Sequence, residues 1–140
     1  MKEKSYQIFE HTADIGVRVK GGDLNELFKS AGLALFQISS RRQFIKSKKR
    51  TSFTIRQSSS SLEELFINWL NELLSLSSAK GVIFHDIKII ELDNNKLEAV
   101  AVGSDLINYK VDIEIKAATY HELKIEHKEA GWIAEFILDV

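Results

Sequence analysis

The chain has no cysteine. That excludes a disulfide, a thiolate zinc site and a cysteine nucleophile. No uninterrupted apolar run approaches the roughly 18 residues that a membrane-spanning helix needs, so no membrane association is expected. The opening stretch, MKEKSYQIFEHTADIG, lacks the apolar core of a signal peptide. The phosphate-binding patterns G-x-x-x-x-G-K-[ST] and G-x-G-x-x-G and the nucleophile elbow G-x-S-x-G are missing too. The formal net charge is −1, so bulk charge names no partner. These absences leave a cytoplasmic protein with no recognisable catalytic motif.

What remains is an ordinary globular composition. The 140 residues are 44% apolar and 28% charged, which suits one domain, 1–140, around a single core. YQIFEH and IGVRVKG read as two short strands flanking TAD, with Ile15, Val17 and Val19 alternating against Arg18 and Lys20. Asp23 followed by Glu26 is a capping box, and Leu24, Leu27, Phe28, Ala31, Leu35 and Ile38 carry helical spacing over 24–38. Gly32 inside that helix costs about 1 kcal/mol against alanine, so a close contact is expected there. Ser61 and Glu64 form a second capping box, ahead of an apolar stripe running to about residue 77. TSFTIRQ, VIFHDIKII, LEAVAVG, VDIEIKAA, YHELKIEH and WIAEFILD read as strands, with turns at LDNNK and KEAG. Two helices and about seven strands predict an α+β domain, a mostly antiparallel sheet with two amphipathic helices on one face.

Four places could carry chemistry. His11, Thr12 and Asp14 cluster between two strands, where a turn satisfying local backbone groups would also explain them. At the other terminus, EFILDV sets the Asp139 side chain beside the α-carboxylate of Val140. Neighbouring carboxylates suit a hard cation such as calcium or magnesium, not zinc. Calcium takes about six to eight oxygens, so a third carboxylate is needed. Asp14, Asp112 and Glu114 are all candidates on spacing. The segment EIKAATYHELKIE presents Glu114, Lys116, Tyr120 and His121, read either as a surface ion pair or as a contact for an acidic or phosphorylated partner. Finally, RRQFIKSKKR at 41–50 holds six basic residues and no acid. It reads as a solvated loop, with RNA phosphate contact as the alternative. His85 and His127 read as packed or surface histidines.

FEHTADIGVRVKG, LEELFINWLNELL, EIKAATYHELKIE and the terminal ILDV occur in this order. Together they closely resemble the archease family over nearly the whole chain. The resemblance implies a compact α+β fold and a function: an accessory protein, not itself an enzyme, for the RtcB-type RNA ligase of tRNA splicing and RNA repair. That ligase uses GTP and manganese, and archeases promote its guanylylation and repeated turnover. Archeases are also described as chaperone-like modulators of a tRNA cytosine methyltransferase. The resemblance further implies a calcium site at Asp14, Asp139 and Val140, with the chain terminus as a ligand. The residues themselves suggest His11, Lys116 and His121 as partner contacts. Two positions depart from the family pattern. Ser61 stands where many members have an aspartate, and NYKVDIEIKA lacks a histidine found before E-I-K-A in many. The basic run 41–50 is not part of the pattern.

Overall fold

The computed structural model describes residues 5–10, 14–43 and 45–140. The elements follow in the order β1 (Tyr6–Glu10), β2 (Asp14–Gly21), α1 (Leu24–Ser39), β3 (Ser40–Arg42), β4 (Arg50–Ser58), α2 (Leu62–Lys80), β5 (Val82–Leu92), β6 (Lys96–Asp105), a 3-10 turn (Leu106–Asn108), β7 (Tyr109–Val111), β8 (Ala117–Lys128) and β9 (Gly131–Asp139). They form a four-stranded sheet, β1-β2-β9-β8, a three-stranded sheet, β4-β6-β5, and a two-stranded ribbon, β3-β7. Every pairing is antiparallel.

The expected α+β class holds, and both helices begin where the capping boxes place them. Asp23 accepts from the Glu26 N–H at 2.8 Å and Ser61 accepts from the Glu64 N–H at 3.2 Å. The second helix runs to Lys80, beyond the expected residue 77, because Gly81 adopts φ 64° and closes it with a left-handed cap. Gly32 lies where α1 meets α2 and β5: a methyl there would come within 2.8 Å of both the Leu73 and Ile87 side chains.

Three expectations need correction. The described residues form nine strands instead of about seven, because β3 and β7, at three residues each, are too short to show alternation. The helices do not lie on one face of one sheet. Phe66 of α2 packs edge-on against Phe136 of β9, while Phe36 of α1 packs on Phe84 of β5, so both sheets share the helix pair. The buried Trp69 ties the two helices together by donating to the Phe28 carbonyl at 2.9 Å. VDIEIKAA is not a continuous strand either. After β7 the chain bends at Asp112, whose N–H donates to the Ser39 carbonyl at 2.8 Å, as the next N–H does at 3.2 Å. The alternation of burial survives without the strand: Ile115 is buried and Glu114 and Lys116 are exposed.

A bulge in β5 also moves one residue off its expected face. Phe84 pairs with Gly103 and Asp86 with the adjacent Val102, so His85 is the extra residue. Phe84 and Ile87 therefore both turn inward, and His85 is exposed instead of sharing a face with Ile83. His127 stacks on Trp132, with ring centroids 4.4 Å apart.

Candidate functional site

Strand register builds the site. β2 begins at Asp14 and β9 ends at Asp139, and the two residues are direct cross-strand partners. Opposed residues share a face, with Cβ atoms about 4.5–5.5 Å apart. Asp139 is exposed and Asp14 half-buried. The same face carries Arg18 and Glu135, ion-paired at 2.9 Å. Between them lies Gly16, the partner of Phe9 in β1, and a Cβ on Gly16 would occupy the Phe9 ring. The glycine thus leaves room for the Phe9 ring, which also lies near the Arg18 guanidinium, 5.9 Å from the ring centroid.

On the far side of Asp139 the sheet continues to Ala117, and the Lys116 N–H donates to the Asp139 carbonyl at 2.8 Å. Val140 is half-buried against the core, which holds the end of the chain at this corner. Like charges set directly opposite each other destabilise a sheet. A bridging cation reverses that sign, and an all-oxygen donor set fits calcium or magnesium.

The three candidates for a third carboxylate lie in different surroundings. Asp14 meets Asp139 in register. Asp112 instead pairs with Arg41 at 3.3 Å, and Glu114 lines a cleft beside α2. Among the described residues no group of three His, Cys, Asp or Glu side chains could hold a metal. The described side chains thus bring two carboxylates together at this corner, Asp14 and Asp139.

Of the expected partner contacts, Lys116 is exposed and adjoins the carboxylate pair. His121 belongs to an irregularity in β8. Thr119 pairs with Ile137 and Lys124 with Glu135, so the four residues 120–123 stand against Phe136 alone. Glu122 takes φ 53° there, and the bulge leaves Tyr120 56% exposed, next to the exposed His121. His11 and Thr12 lie outside the described residues. Alternation alone could not reveal the bulge, because TYHEL carries no glycine or proline to mark it. Gly16 was visible in the sequence, but its role depends on Phe9 lying across from it.

The cleft beside α2 has a volume of about 830 Å³. Its walls include Leu74 and Ser78 of α2, Val111 of β7, and Ile113, Glu114 and Lys116 of the segment leading to β8. It therefore shares Lys116 with the carboxylate corner.

The model of the archease protein family matches residues 6–140. This chain belongs to the archease family. It is 37% identical over 143 residues to Protein archease of Thermococcus kodakarensis, covering 98% of this chain and 99% of that one. It is 33% identical over 146 residues to Protein archease of Methanosarcina acetivorans, covering 98% and 97%. The fold is similar to the solution structure of protein 1598 of Methanobacterium thermoautotrophicum, with TM-score 0.70 and 26% identity over 99% of this chain and 100% of that one. It is also similar to the crystal structure of an archease, possible chaperone, from Thermotoga maritima. That likeness has TM-score 0.68 and 22% identity over 94% of each chain, and speaks for the fold alone.

Proposed function

We propose that this archease-family chain is a non-catalytic activator of an RtcB-type RNA ligase, promoting its guanylylation and repeated turnover in tRNA splicing and RNA repair. In this reading Asp14, Asp139 and the Val140 α-carboxylate hold a calcium ion. The observation that carries it is the register pairing of Asp14 with Asp139 at the end of the four-stranded sheet, directly before Val140. The corner has the properties of a part inserted into another protein's site. It is acidic, it sits on two paired strands, and exposed Lys116 and His121 lie nearby on β8 and its approach.

The bound cation would supply fixed positive charge between the carboxylates. The chain's own residues do the positioning: β2 and β9 fix the two side chains, and Lys116 offers a cation to a phosphate or carboxylate of the partner. Better placement of the ligase's GTP, manganese or nucleophilic histidine is enough, because a tenfold gain needs only about 1.4 kcal/mol off a barrier. The test is RNA joining by the same organism's RtcB-type ligase with substrate in large excess. Many turnovers only when this protein is present support the reading. Unchanged turnover with both proteins folded overturns it.

The cleft favours a second reading, a chaperone-like modulator of a tRNA cytosine methyltransferase. Val111, at 48% exposure, and Leu106, at 41%, border it and offer apolar surface to a client. If this chain keeps the methyltransferase soluble and a Val111→Asp substitution ends that protection without unfolding the chain, this reading is preferred.

A further inference from the structure

The basic run is not simply a solvated loop. Its first two residues, Arg41 and Arg42, lie in β3 and pair with Lys110 and Tyr109 of β7, and Arg50 opens β4. Between them the backbone is fastened by one buried side chain. Asn108 is 0% exposed. Its Oδ1 accepts from the N–H groups of Lys46 and Ser47 at 2.8 and 2.9 Å, and its Nδ2 donates to the Ser47 carbonyl at 2.7 Å. Its own carbonyl accepts from the Gln43 N–H at 2.9 Å. A charge run that merely solvates itself needs no buried anchor. Here an internal amide holds the loop's backbone at Lys46 and Ser47.

The side chains of that fixed backbone all point to one kind of ligand. Arg41, Arg42, Lys46, Lys48, Lys49 and Arg50 are all exposed. Among the described residues only Arg41 is answered by an acid, Asp112. Lys110 adds another exposed cation beside Arg41. The positive field reaches the neighbouring bulge, where burial and then the Arg50 and Arg42 guanidinium groups hold the His85 imidazole below its ordinary value. Arg42, His85 and Tyr109 also line a small cleft of about 210 Å³ at the edge of this surface. Cations along a fixed strand-loop-strand path, next to a cleft with a ring and a guanidinium plane, match a nucleic-acid strand: phosphates on the cations, an unpaired base at the cleft. An acidic protein surface is a poorer match, because protein interfaces are depleted of lysine.

We propose that the Asn108-fastened surface formed by Arg41, Arg42, Lys46, Lys48, Lys49, Arg50 and Lys110 binds the phosphate backbone of single-stranded RNA. The proposal does not rest on the ligase reading, and its test contains no ligase, so either can fail alone.

The measurement is fluorescence anisotropy of a labelled single-stranded oligoribonucleotide, long enough to fill a site of about 4–16 nucleotides, across a salt series. The expected result is binding that weakens steeply with salt. Each phosphate contact contributes a log–log slope of about −0.7 for single strands. The Lys46→Ala/Lys48→Ala/Lys49→Ala variant should therefore flatten the slope by about 2 and weaken low-salt binding at least about tenfold. Lys128→Ala, on the β8–β9 hairpin, should change neither. Asn108→Ala keeps every charge and should still weaken binding, since it frees the backbone. If that variant fails to fold, the triple variant decides. No RNA binding at low salt, or equal binding by the triple variant, overturns the proposal. So does displacement of RNA by polyglutamate as readily as by unlabelled RNA, which would make an acidic protein the occupant.

Discussion

The carboxylate corner and the basic edge concentrate opposite charges by different means. At the corner, antiparallel register does the work: Asp14 faces Asp139 because β2 and β9 pair without a slip along their length. The pairing of the two strands alone brings the acids together. At the basic edge the chain leaves the sheets, and a buried amide stands in for the missing strand ladder. Register yields a pair of carboxylates held opposite each other, the arrangement the proposed calcium site uses. A fastened loop yields a line of long, mobile side chains on a fixed backbone, suited to an extended polyanion. A net charge of −1 conceals both.

The largest expected effect comes from deleting the corner. Asp14→Ala with Asp139→Ala should reduce ligase turnover to its level without this protein, while circular dichroism reports an unchanged fold. Calcium should raise the melting temperature of the wild-type chain. Binding at a hundred times Kd contributes about 2.7 kcal/mol, or roughly 5–10 °C for a chain of this size. The double variant should lose that rise. Equal activation or an equal calcium response by the variant would leave the corner as mere surface. The basic edge should be indifferent to this experiment, with RNA affinity unchanged.

Next in size is the anchor of the other region. Asn108→Ala strands two backbone N–H groups and a carbonyl of the loop, and should cost about 1–3 kcal/mol in denaturant unfolding. Calcium binding should be preserved. If the cost is near zero, the loop is not fastened by Asn108, and the contrast between the two regions fails at its basic side.

A smaller effect is expected at Gly16. Gly16→Ala drives a methyl into the Phe9 ring and should cost about 1–2 kcal/mol as the ring shifts. Because Gly16 lies two residues from Asp14 on the same face, calcium affinity should fall as well. Stability lost with calcium affinity intact would show that Phe9 serves packing only.

These regions also differ in how far the sequence revealed them. The helices were legible because capping boxes and apolar stripes are local signals, and Asp23 and Ser61 cap as their spacing requires. The two acids were visible as residues, but on spacing alone Asp14 could not be separated from Asp112 and Glu114. The register of β2 on β9 sets Asp14 opposite Asp139, while Asp112 pairs with Arg41. The basic run was plain as composition, whereas its order came from Asn108, more than sixty positions away for Lys46. Bulges were hidden for a related reason. The extra residues at His85 and at Tyr120–Leu123 interrupt alternation only once the partner strand is known.

The smallest expected effect tests the basic edge through His85. Its folded-state value lies below the ordinary one, through burial first and the Arg50 and Arg42 charges next, with Asp86 opposing. A histidine depressed in the folded state favours the neutral form, so the unfolded chain takes up its proton first. Above the ordinary value of about 6.5 the group has no effect on stability. As pH falls through 6.5 toward the folded value, stability is lost. The melting temperature should thus drop slightly more between pH 7 and pH 5 for the wild type than for His85→Gln. Bound RNA should shrink that difference, because phosphates placed on Arg42 and Arg50 offset the charges that depress His85. If RNA binds and the difference stays the same, the strand does not pass over β5, and the surface ends at the loop.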